Sequence, residues 1–505
     1  MKKFFCLAVI ILSSSISLGT IWLPSIISDN MVLLADSNAP IWGKAAANTK
    51  IAIVCSWDKK NTITVMSDGQ GKWTANLRTP KKAKKSTIAI TCGKEVRTIT
   101  NVLIGEVWLC SGQSNMAFRV NEIKDPNKEL KKSKYPKIRL FIVKKTTAKT
   151  PQEDCFGEWV ECNPETAAKF SAVGYFFGKE LYSKLHRPIG LIDSSYGGSP
   201  AQAWTSNEAL NHNSLLKEYL ATDANNEANK EKYSMQYAAE LKEWKNQVMN
   251  AVAAGKPTPN KPREPLELRE YRKCSRLYNV MINPLIPFAI KGVIWYQGES
   301  NADNPMGYRV LFPAMISDWR TNWNQGDFPF YFVQLAGYGK VSTTDDWPML
   351  REAQTMTLAL PNTGMAVAID VGDINDIHPK NKLTVGKRLA LWALAKNYGK
   401  KNLTYSGPLY KGMQIEGDKI RITFDYANSG LKLAKKSKTL KGFTIADSDK
   451  NFVPAKAKID KKTVLVWSDE IKNPSAVRYG WADWCQCNLY NKKGLPASPF
   501  RTDNE

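Results

Sequence analysis

The chain has 505 residues, of which 43% are hydrophobic, with 16 Trp and a formal net charge of +24. This composition can fill real cores and excludes an intrinsically disordered chain, and the length predicts several domains. The lysines scatter in pairs through predicted loops instead of forming a stripe interleaved with aromatic residues. The positive charge therefore does not indicate nucleic-acid binding.

The first residues, MKKFFCLAVIILSSSISLG, combine two lysines, a short apolar run and small residues. This order is typical of a cleaved secretory signal, so we predict a signal peptide over residues 1–19. Cys6 lies inside the apolar run, which favours plain cleavage over a lipid-anchored N-terminus. No later segment reaches the ~18 uninterrupted apolar residues of a membrane span. A periplasmic or extracellular protein without a membrane span is expected.

Residues 20–102 are predicted to form an N-terminal β-sandwich-like module, because short strand-like runs are separated by turn residues. From residue 103 the pattern changes to apolar runs that alternate with helix-like segments. The apolar runs are GEVWLC, KIRLFIV, PIGLID, GVIWY, PFYFVQL and GMAVAID. This alternation predicts an α/β domain over 103–400, with a parallel sheet and helices on both faces.

Two further regions differ from this pattern. A charged, helical and Pro-rich stretch at about 206–275 is interpreted as an insertion in the α/β domain. Strand-like runs return afterwards and predict a C-terminal β-rich module over 401–505.

Eight cysteines follow the predicted signal. In an oxidising compartment, disulfides between Cys55 and Cys92 or between Cys155 and Cys162 are plausible. Spacing alone does not establish a pairing. The Cys485-Gln-Cys487 pair lacks neighbouring histidines, so a metal site is not favoured there.

Chemistry is expected where the buried strands end, because sites in open α/β sheets form at the carboxyl edge. Ser114 follows the first run in the sequence SGQSNM and is either a helix cap or a nucleophile. The nucleophile elbow of α/β-hydrolases needs a glycine two residues after the serine, where this chain has Met116. The later segments YGG and QGESN predict either ligand contacts or simple turns.

Of the three histidines, His186 and His212 are predicted surface residues. His378 follows the last apolar run, in the sequence VGDINDIHP, beside several carboxylates. A serine hydroxyl needs a histidine with an adjacent acid to become a good nucleophile near neutral pH. The sequence therefore predicts that Ser114 and His378 meet at one edge of the sheet.

These blocks resemble the SGNH hydrolases, and more closely the sialate O-acetylesterase family of carbohydrate esterases. The resemblance rests on GEVWLCSGQSNM, YGGSPAQAW, GVIWYQGESNA and DIHPKNK, and it extends to LPSIISDNMVL and LREAQ. It implies an α/β fold of SGNH type, a flavodoxin-like three-layer sandwich with a parallel sheet. β-Sandwich-like modules would flank that sandwich at both ends.

The resemblance also assigns the catalytic roles. Ser114 would be the nucleophile and His378 the general base and acid. Many SGNH enzymes carry Asp three residues before the histidine, but here Asn375 occupies that position. Asp376 is the predicted orienting acid, and the alternatives are Asp373 and Asp370.

The oxyanion hole implied by the resemblance combines three donors. These are the amide of Ser114, the amide of Gly198 and the side-chain amide of Gln297, with Asn301 as the alternative to Gln297. This chemistry requires no metal and no organic cofactor.

The expected activity is removal of O-acetyl groups from carbohydrate, with O-acetylated sialic acid as the first substrate. Acetylxylan or another acetylated glycan is the alternative substrate. The alternative from a different class is a non-catalytic carbohydrate-binding protein, because β-modules flank the centre and tryptophans are plentiful. An acetylated sugar is the expected partner, and the sequence leaves the oligomeric state open.

Overall fold

The computed structural model describes residues 21–339, 344–434 and 437–503. The predicted signal peptide at 1–19 lies outside these ranges. Over them, no helix is both long enough and apolar enough to cross a lipid bilayer.

The N-terminal region consists mostly of short strands in antiparallel pairs, and β1 pairs in parallel with the longer β7. In β5, every second side chain is buried, which is the period expected of a strand with one face on a core. β2 pairs with β5, and β3 pairs with β4 and β6. The strands are β1 (Val32–Leu34), β2 (Asn38–Lys44), β3 (Lys50–Cys55), β4 (Thr62–Met66), β5 (Lys72–Arg78), β6 (Ser86–Cys92) and β7 (Glu95–Gly112).

The central sheet follows in the order β13-β12-β11-β7-β10-β8-β9. All neighbouring pairs are parallel except β8 with β9, which confirms the predicted parallel sheet. Strands β10, β11 and β12 are buried throughout, which explains their continuous apolar sequence. The added strands are β8 (Tyr135–Ile142), β9 (Trp159–Cys162), β10 (Ile189–Ser195), β11 (Gly292–Tyr296), β12 (Phe330–Val333) and β13 (Thr363–Ala366).

Strand β7 belongs to both of these regions. Its first part pairs with β6 and β1, and its second part pairs with β10 from Glu106 and with β11 from Trp108. The predicted boundary between residues 102 and 103 therefore falls inside one continuous strand.

Helices cover both faces of the central sheet. Val107 and Leu109 pack into one core with α8, while Trp108 and Cys110 pack into a second core with α4 and α10. The helices are α1 (Ser114–Ala117), α2 (Pro126–Leu130), α3 (Pro164–Lys169), α4 (Ala172–Leu185), α5 (Asn207–His212), α6 (Lys217–Ala228), α7 (Lys230–Ala253), α8 (Pro305–Trp323), α9 (Asp346–Met356) and α10 (Lys382–Lys396).

The predicted insertion at about 206–275 contains α5, α6 and α7. Neither α6 nor α7 contains a buried residue, which agrees with their charged sequence. Near the end of the stretch, Lys273 forms ion pairs with Glu227 and Glu270 of the same stretch.

The C-terminal region is β-rich and packs against the α/β region. Tyr490 donates a hydrogen bond to Asp370, and Arg351 donates to the carbonyl of Ala482. The strands are β14 (Leu409–Glu416), β15 (Lys419–Asp425), β16 (Leu431–Leu433), β17 (Phe443–Ala446), β18 (Val453–Pro454), β19 (Lys456–Asp460), β20 (Thr463–Trp467), β21 (Ala476–Tyr479), β22 (Leu489–Asn491) and β23 (Phe500–Arg501).

The disulfide in the structure joins Cys485 and Cys487, and neither of the two plausible pairings is formed, because Cys55, Cys92, Cys155 and Cys162 are free thiols. Cys55 lies opposite Ile88 in the antiparallel register of β3 and β6, so it is far along the strand from Cys92. Cys155 and Cys162 belong to the two different cores, on opposite faces of the central sheet. Sequence spacing carries no information on either separation.

Candidate active site

The turn after β7 presents Ser114 at the edge of the sheet. Gly112 has φ +134°, and a Cβ there would lie 2.2 Å from the carbonyl oxygen of Tyr296 on β11. Only glycine fits this close approach of two backbones. Helix α1 then begins at Ser114, so its hydroxyl is half-buried at the first position of a helix.

The structure brings His378 to Ser114, as predicted from the sequence. Nε2 of His378 lies 2.8 Å from Oγ of Ser114, although 264 residues separate them in the chain. Burial lowers the pKa of His378, and the nearby Lys382 ammonium lowers it further. The imidazole is therefore neutral near pH 7 and can accept the serine proton.

Of the three candidate acids, Asp376 lies beside His378. Its Oδ1 accepts a hydrogen bond from the His378 amide at 2.8 Å and lies 3.8 Å from Nδ1. Asp370 instead forms a two-pronged ion pair with Arg388. Asp373 accepts from the backbone amide of Asn375.

The glycine pair after β10 borders the nucleophile. A Cβ on Gly197 would lie 3.5 Å from Cβ of Ser114, and Gly198 has φ +75°. Within the described part of the chain, the amides of Ser114 and Gly198 donate to no protein atom. Arg272 holds this turn from the insertion by donating to the Gly198 carbonyl at 2.8 Å. Both amides are thus available to a ligand.

In the third block, GVIWYQGESNA, the hydrogen bonds of Gln297 differ from those expected of an oxyanion donor. Gln297 is fully buried, and its Nε2 donates to Asn301 Oδ1 at 2.7 Å and to the Ser199 carbonyl at 3.3 Å. Asn301 in turn donates to Gln202. The side chain of Gln297 therefore buttresses the Ser199 turn in this structure, and its role as an oxyanion donor stays a prediction.

Sequence reasoning missed a buried polar group directly under the Ser114 turn. Asn115 donates to Glu299 and accepts from Lys382. Each of the three residues lies inside one of the four quoted blocks. The available signal was Glu299, a charged residue that follows the buried strand β11.

A cavity of about 270 Å³ lies between the insertion and the second and third blocks. Gln202, Ser300 and Asn301 form its wall on the side of the α/β region, and α6 supplies Tyr219 and Asp223. Its lining is polar, which suits a ligand rich in hydroxyl groups.

The serine and histidine at the edge of a parallel sheet, with free backbone amides beside them, define a carboxylic ester hydrolase. The family described as "Carbohydrate esterase, sialic acid-specific acetylesterase" matches residues 104–254 and 265–395. The chain is also 32% identical to the sialate O-acetylesterase of Rattus norvegicus over 523 residues, covering 94% of this chain and 93% of the relative. It is 30% identical to the sialate O-acetylesterase of Homo sapiens, covering 94% of this chain and 91% of the relative.

Among solved structures, the fold is similar to a carbohydrate acetylesterase from Xanthomonas citri. The TM-score is 0.81 at 35% identity, over 96% of this chain and 100% of the other. The protein belongs to the sialic acid-specific acetylesterase family of carbohydrate esterases, and its activity is carbohydrate O-deacetylation.

Proposed function

We propose that this protein removes O-acetyl groups from sialic acid through an acetyl-serine intermediate. The observation that carries the proposal is the 2.8 Å contact between Ser114 Oγ and His378 Nε2. The relatives named above are sialate O-acetylesterases, which supports the choice of sugar. The parallel sheet with helices on both faces supports the SGNH-type three-layer arrangement, with β-modules on either side.

In the first half of the proposed reaction, Ser114 Oγ attacks the acetyl carbonyl carbon while His378 Nε2 takes the hydroxyl proton. The carbonyl electron pair moves onto oxygen, where the amides of Ser114 and Gly198 stabilise it. Gln297 or Asn301 would supply a third donor after a change of hydrogen-bond partner. When the carbonyl re-forms, the bond to the sugar oxygen breaks and His378 returns the proton to that oxygen.

In the second half, His378 takes a proton from water as the water attacks the acetyl-serine. The ester bond to Ser114 Oγ then breaks, acetate leaves, and the serine recovers its proton. Throughout, Asp376 favours the protonated imidazole, because its negative charge raises the pKa of His378 against the larger effects of burial and Lys382.

An acetylated neutral glycan is the second candidate substrate. The cavity beside the second and third blocks contains Glu218, Asp223, Glu267 and Asp303, against the two cations Arg272 and Lys273. An acidic lining of this kind favours an uncharged sugar over a carboxylated one.

The test is acetate release from O-acetylated sialic acid and from acetylated xylo-oligosaccharide. We expect wild type to be active and Ser114→Ala and His378→Ala to lose roughly 10³-fold or more in kcat. The matched controls are Ser183→Ala and His186→Ala, whose side chains are exposed at the end of α4 and should leave activity unchanged. Activity on the xylo-oligosaccharide alone would favour the second substrate. Saturable glycan binding without acetate release, unaffected by Ser114→Ala, would contradict both.

We also propose export to the periplasm or the medium, on the strength of the N-terminal sequence MKKFFCLAVIILSSSISLG. The N-terminal sequence of the protein recovered from the producing cells tests this proposal. Residues near Thr20 are expected as the new N-terminus, and an intact Met1 in the exported fraction would contradict cleavage.

A further inference from the structure

Three polar side chains, Glu299, Asn115 and Lys382, form a buried cluster beneath the Ser114 turn. We call it the Asn115 cluster. Asn115 and Lys382 are each 1% exposed. Lys382 Nζ donates to Asn115 Oδ1, and Asn115 Nδ2 donates to Glu299 Oε1. The cluster thus links the first, third and fourth sequence blocks.

The remaining hydrogen of the Asn115 amide reaches the other half of the site. Nδ2 of Asn115 also donates to the carbonyl oxygen of Ile377 at 3.0 Å, and Ile377 directly precedes His378. Both N–H groups and the oxygen of the amide are therefore engaged, which fixes its orientation. Because Asn115 directly follows Ser114, one side chain joins the backbone beside the nucleophile to the backbone beside the base.

We propose that Asn115 and Lys382 are positioning residues for ester hydrolysis. Asn115 fixes the Ser114 turn against the His378 segment, while Lys382 orients Asn115 through its hydrogen bond and holds a buried positive charge close to that segment. This inference rests on the proposed function, and it adds two residues, Asn115 and Lys382, that have no role in the reaction steps given above.

The charges around the cluster support the second role. Burial and then the Lys382 charge lower the pKa of His378, whereas Asp376 and Glu122 raise it. Lys382 is itself depressed by burial to a pKa of about 7, against the opposing effects of Glu299, Asp376 and Glu122. Below pH 7, where Lys382 is protonated, its positive charge therefore favours neutral imidazole, the form that accepts a proton from serine.

Two further contacts stabilise the ammonium in this buried position. Lys382 Nζ lies 4.8 Å from the ring centre of Phe118 and 5.3 Å from that of Tyr296. Aromatic faces attract cations, and they do so more strongly in a dry site. Burial raises the pKa of Glu299, whose Oε2 has no hydrogen-bond partner among the described residues. Lys382 and the amide of Asn115 thus form the centre of the Asn115 cluster, and the carboxyl group of Glu299 lies at its edge.

The first test measures the pKa of His378 directly. The chain has 3 His, so NMR titration of isotopically labelled histidine resolves His378 once His186→Asn and His212→Asn identify the other two signals. We expect Lys382→Met to raise the pKa of His378 by about one unit, because a like charge has been removed. Lys382→Arg keeps the charge and should keep the pKa low.

The matched control is Arg320→Met, which also removes a buried cation. Arg320 donates to the carbonyls of Phe328 and Pro361 and does not contact the site. Its removal should leave the pKa of His378 unchanged. An unchanged pKa in Lys382→Met, or an equal rise in Arg320→Met, would overturn the role of Lys382. This readout does not depend on any substrate, so it stands even where the proposed function fails.

The second test addresses Asn115 with a nearly isosteric change. Asn115→Asp cannot donate to Glu299 or to Ile377, and we expect kcat to fall roughly 100-fold with KM changed less than about threefold, because the nucleophile and base lose their alignment. Adding Glu299→Gln restores a donor and should recover part of kcat.

Asn491→Asp is the control for Asn115→Asp, since Asn491 is equally buried and its side chain also donates to a backbone carbonyl, that of Ser406, and accepts a hydrogen bond, from the amide of Leu495. It should leave kcat of the folded enzyme unchanged. Equal kinetic losses in the two variants, or no recovery with Glu299→Gln, would reduce Asn115 to a structural residue and contradict the proposal.

Discussion

Two groups of opposite charge flank His378, and they differ in how they are held. Lys382 is 1% exposed and hydrogen-bonded to Asn115. The Asp376 side chain is 42% exposed and lies 3.8 Å from the imidazole Nδ1. A buried charge acts more strongly on its neighbours than an exposed charge, which is screened by water and salt. Below pH 7, where Lys382 is protonated, the buried cation should therefore affect the pKa of His378 more than the neighbouring acid does.

The largest expected effect concerns Lys382 and the stability of the fold. Its pKa is depressed from 10.5 to about 7, so between these values the unfolded chain binds a proton that the folded chain does not. The free energy of unfolding should consequently rise as pH increases from 7 to 10.5. One pKa unit is worth ~1.4 kcal/mol, so the rise is roughly 3–5 kcal/mol.

Urea denaturation of wild type and Lys382→Met at pH 7 and pH 10 measures this rise. Other ionisable groups contribute equally to the pH dependence of both proteins, so the difference between the two proteins isolates Lys382. Parallel pH dependence in both proteins would show that Lys382 titrates normally.

The second-largest effect is expected at Asp370, a mostly buried carboxylate in the segment that leads to His378. It pairs with Arg388 and accepts a hydrogen bond from Tyr490 of the C-terminal region. Asp370→Ala leaves Arg388 without its partner and should cost roughly 3 kcal/mol of unfolding free energy. The kcat of the folded enzyme should stay within a few-fold of wild type. A kinetic loss larger than that of Asp376→Ala would make Asp370 the orienting acid.

Asp376→Ala should have a moderate kinetic effect and little effect on stability. We expect kcat to fall about 10–100-fold, which is less than the ~10⁴-fold loss of a triad whose acid is buried and directly bonded to the imidazole. Because the Asp376 charge raises the pKa of His378, its removal should move the acidic limb of kcat/KM to lower pH. Profiles of kcat/KM against pH for the two proteins measure both effects, and a shift to higher pH would contradict the assignment.

The smallest effect is expected at Asp373. Its side chain is exposed and accepts a hydrogen bond from the backbone amide of Asn375. Asp373→Ala should change unfolding free energy by less than about 0.5 kcal/mol and kcat by less than about twofold. A loss comparable to that of Asp376→Ala would place Asp373 in the catalytic group.

The proximity of Ser114 and His378 could be predicted, because both follow apolar runs whose pattern is typical of buried parallel strands. The choice among carboxylates was not, since Asp370, Asp373 and Asp376 all lie within seven residues of one loop. The partner of each depends on residues far along the chain, such as Arg388 and Tyr490.

The cysteine pairing and the contacts of Gln297 could not be predicted from the sequence, for a related reason. The register of β3 and β6 separates Cys55 from Cys92, and no feature of the sequence indicates that register. The hydrogen bonds of Gln297 depend on how the turn at Ser199 folds over β11. Side-chain geometry within a motif requires the three-dimensional arrangement of the other motifs.

Strand β7 has a consequence for how this protein could be cut or recombined. It spans Glu95–Gly112 without interruption, from the antiparallel ladder with β6 to the turn that carries Ser114. A gene fragment starting near codon 103 would retain the nucleophile but sever the strand that leads to it and leave β1 and β6 behind. An engineered swap of the N-terminal region therefore has to replace the first half of that strand in register with β1 and β6.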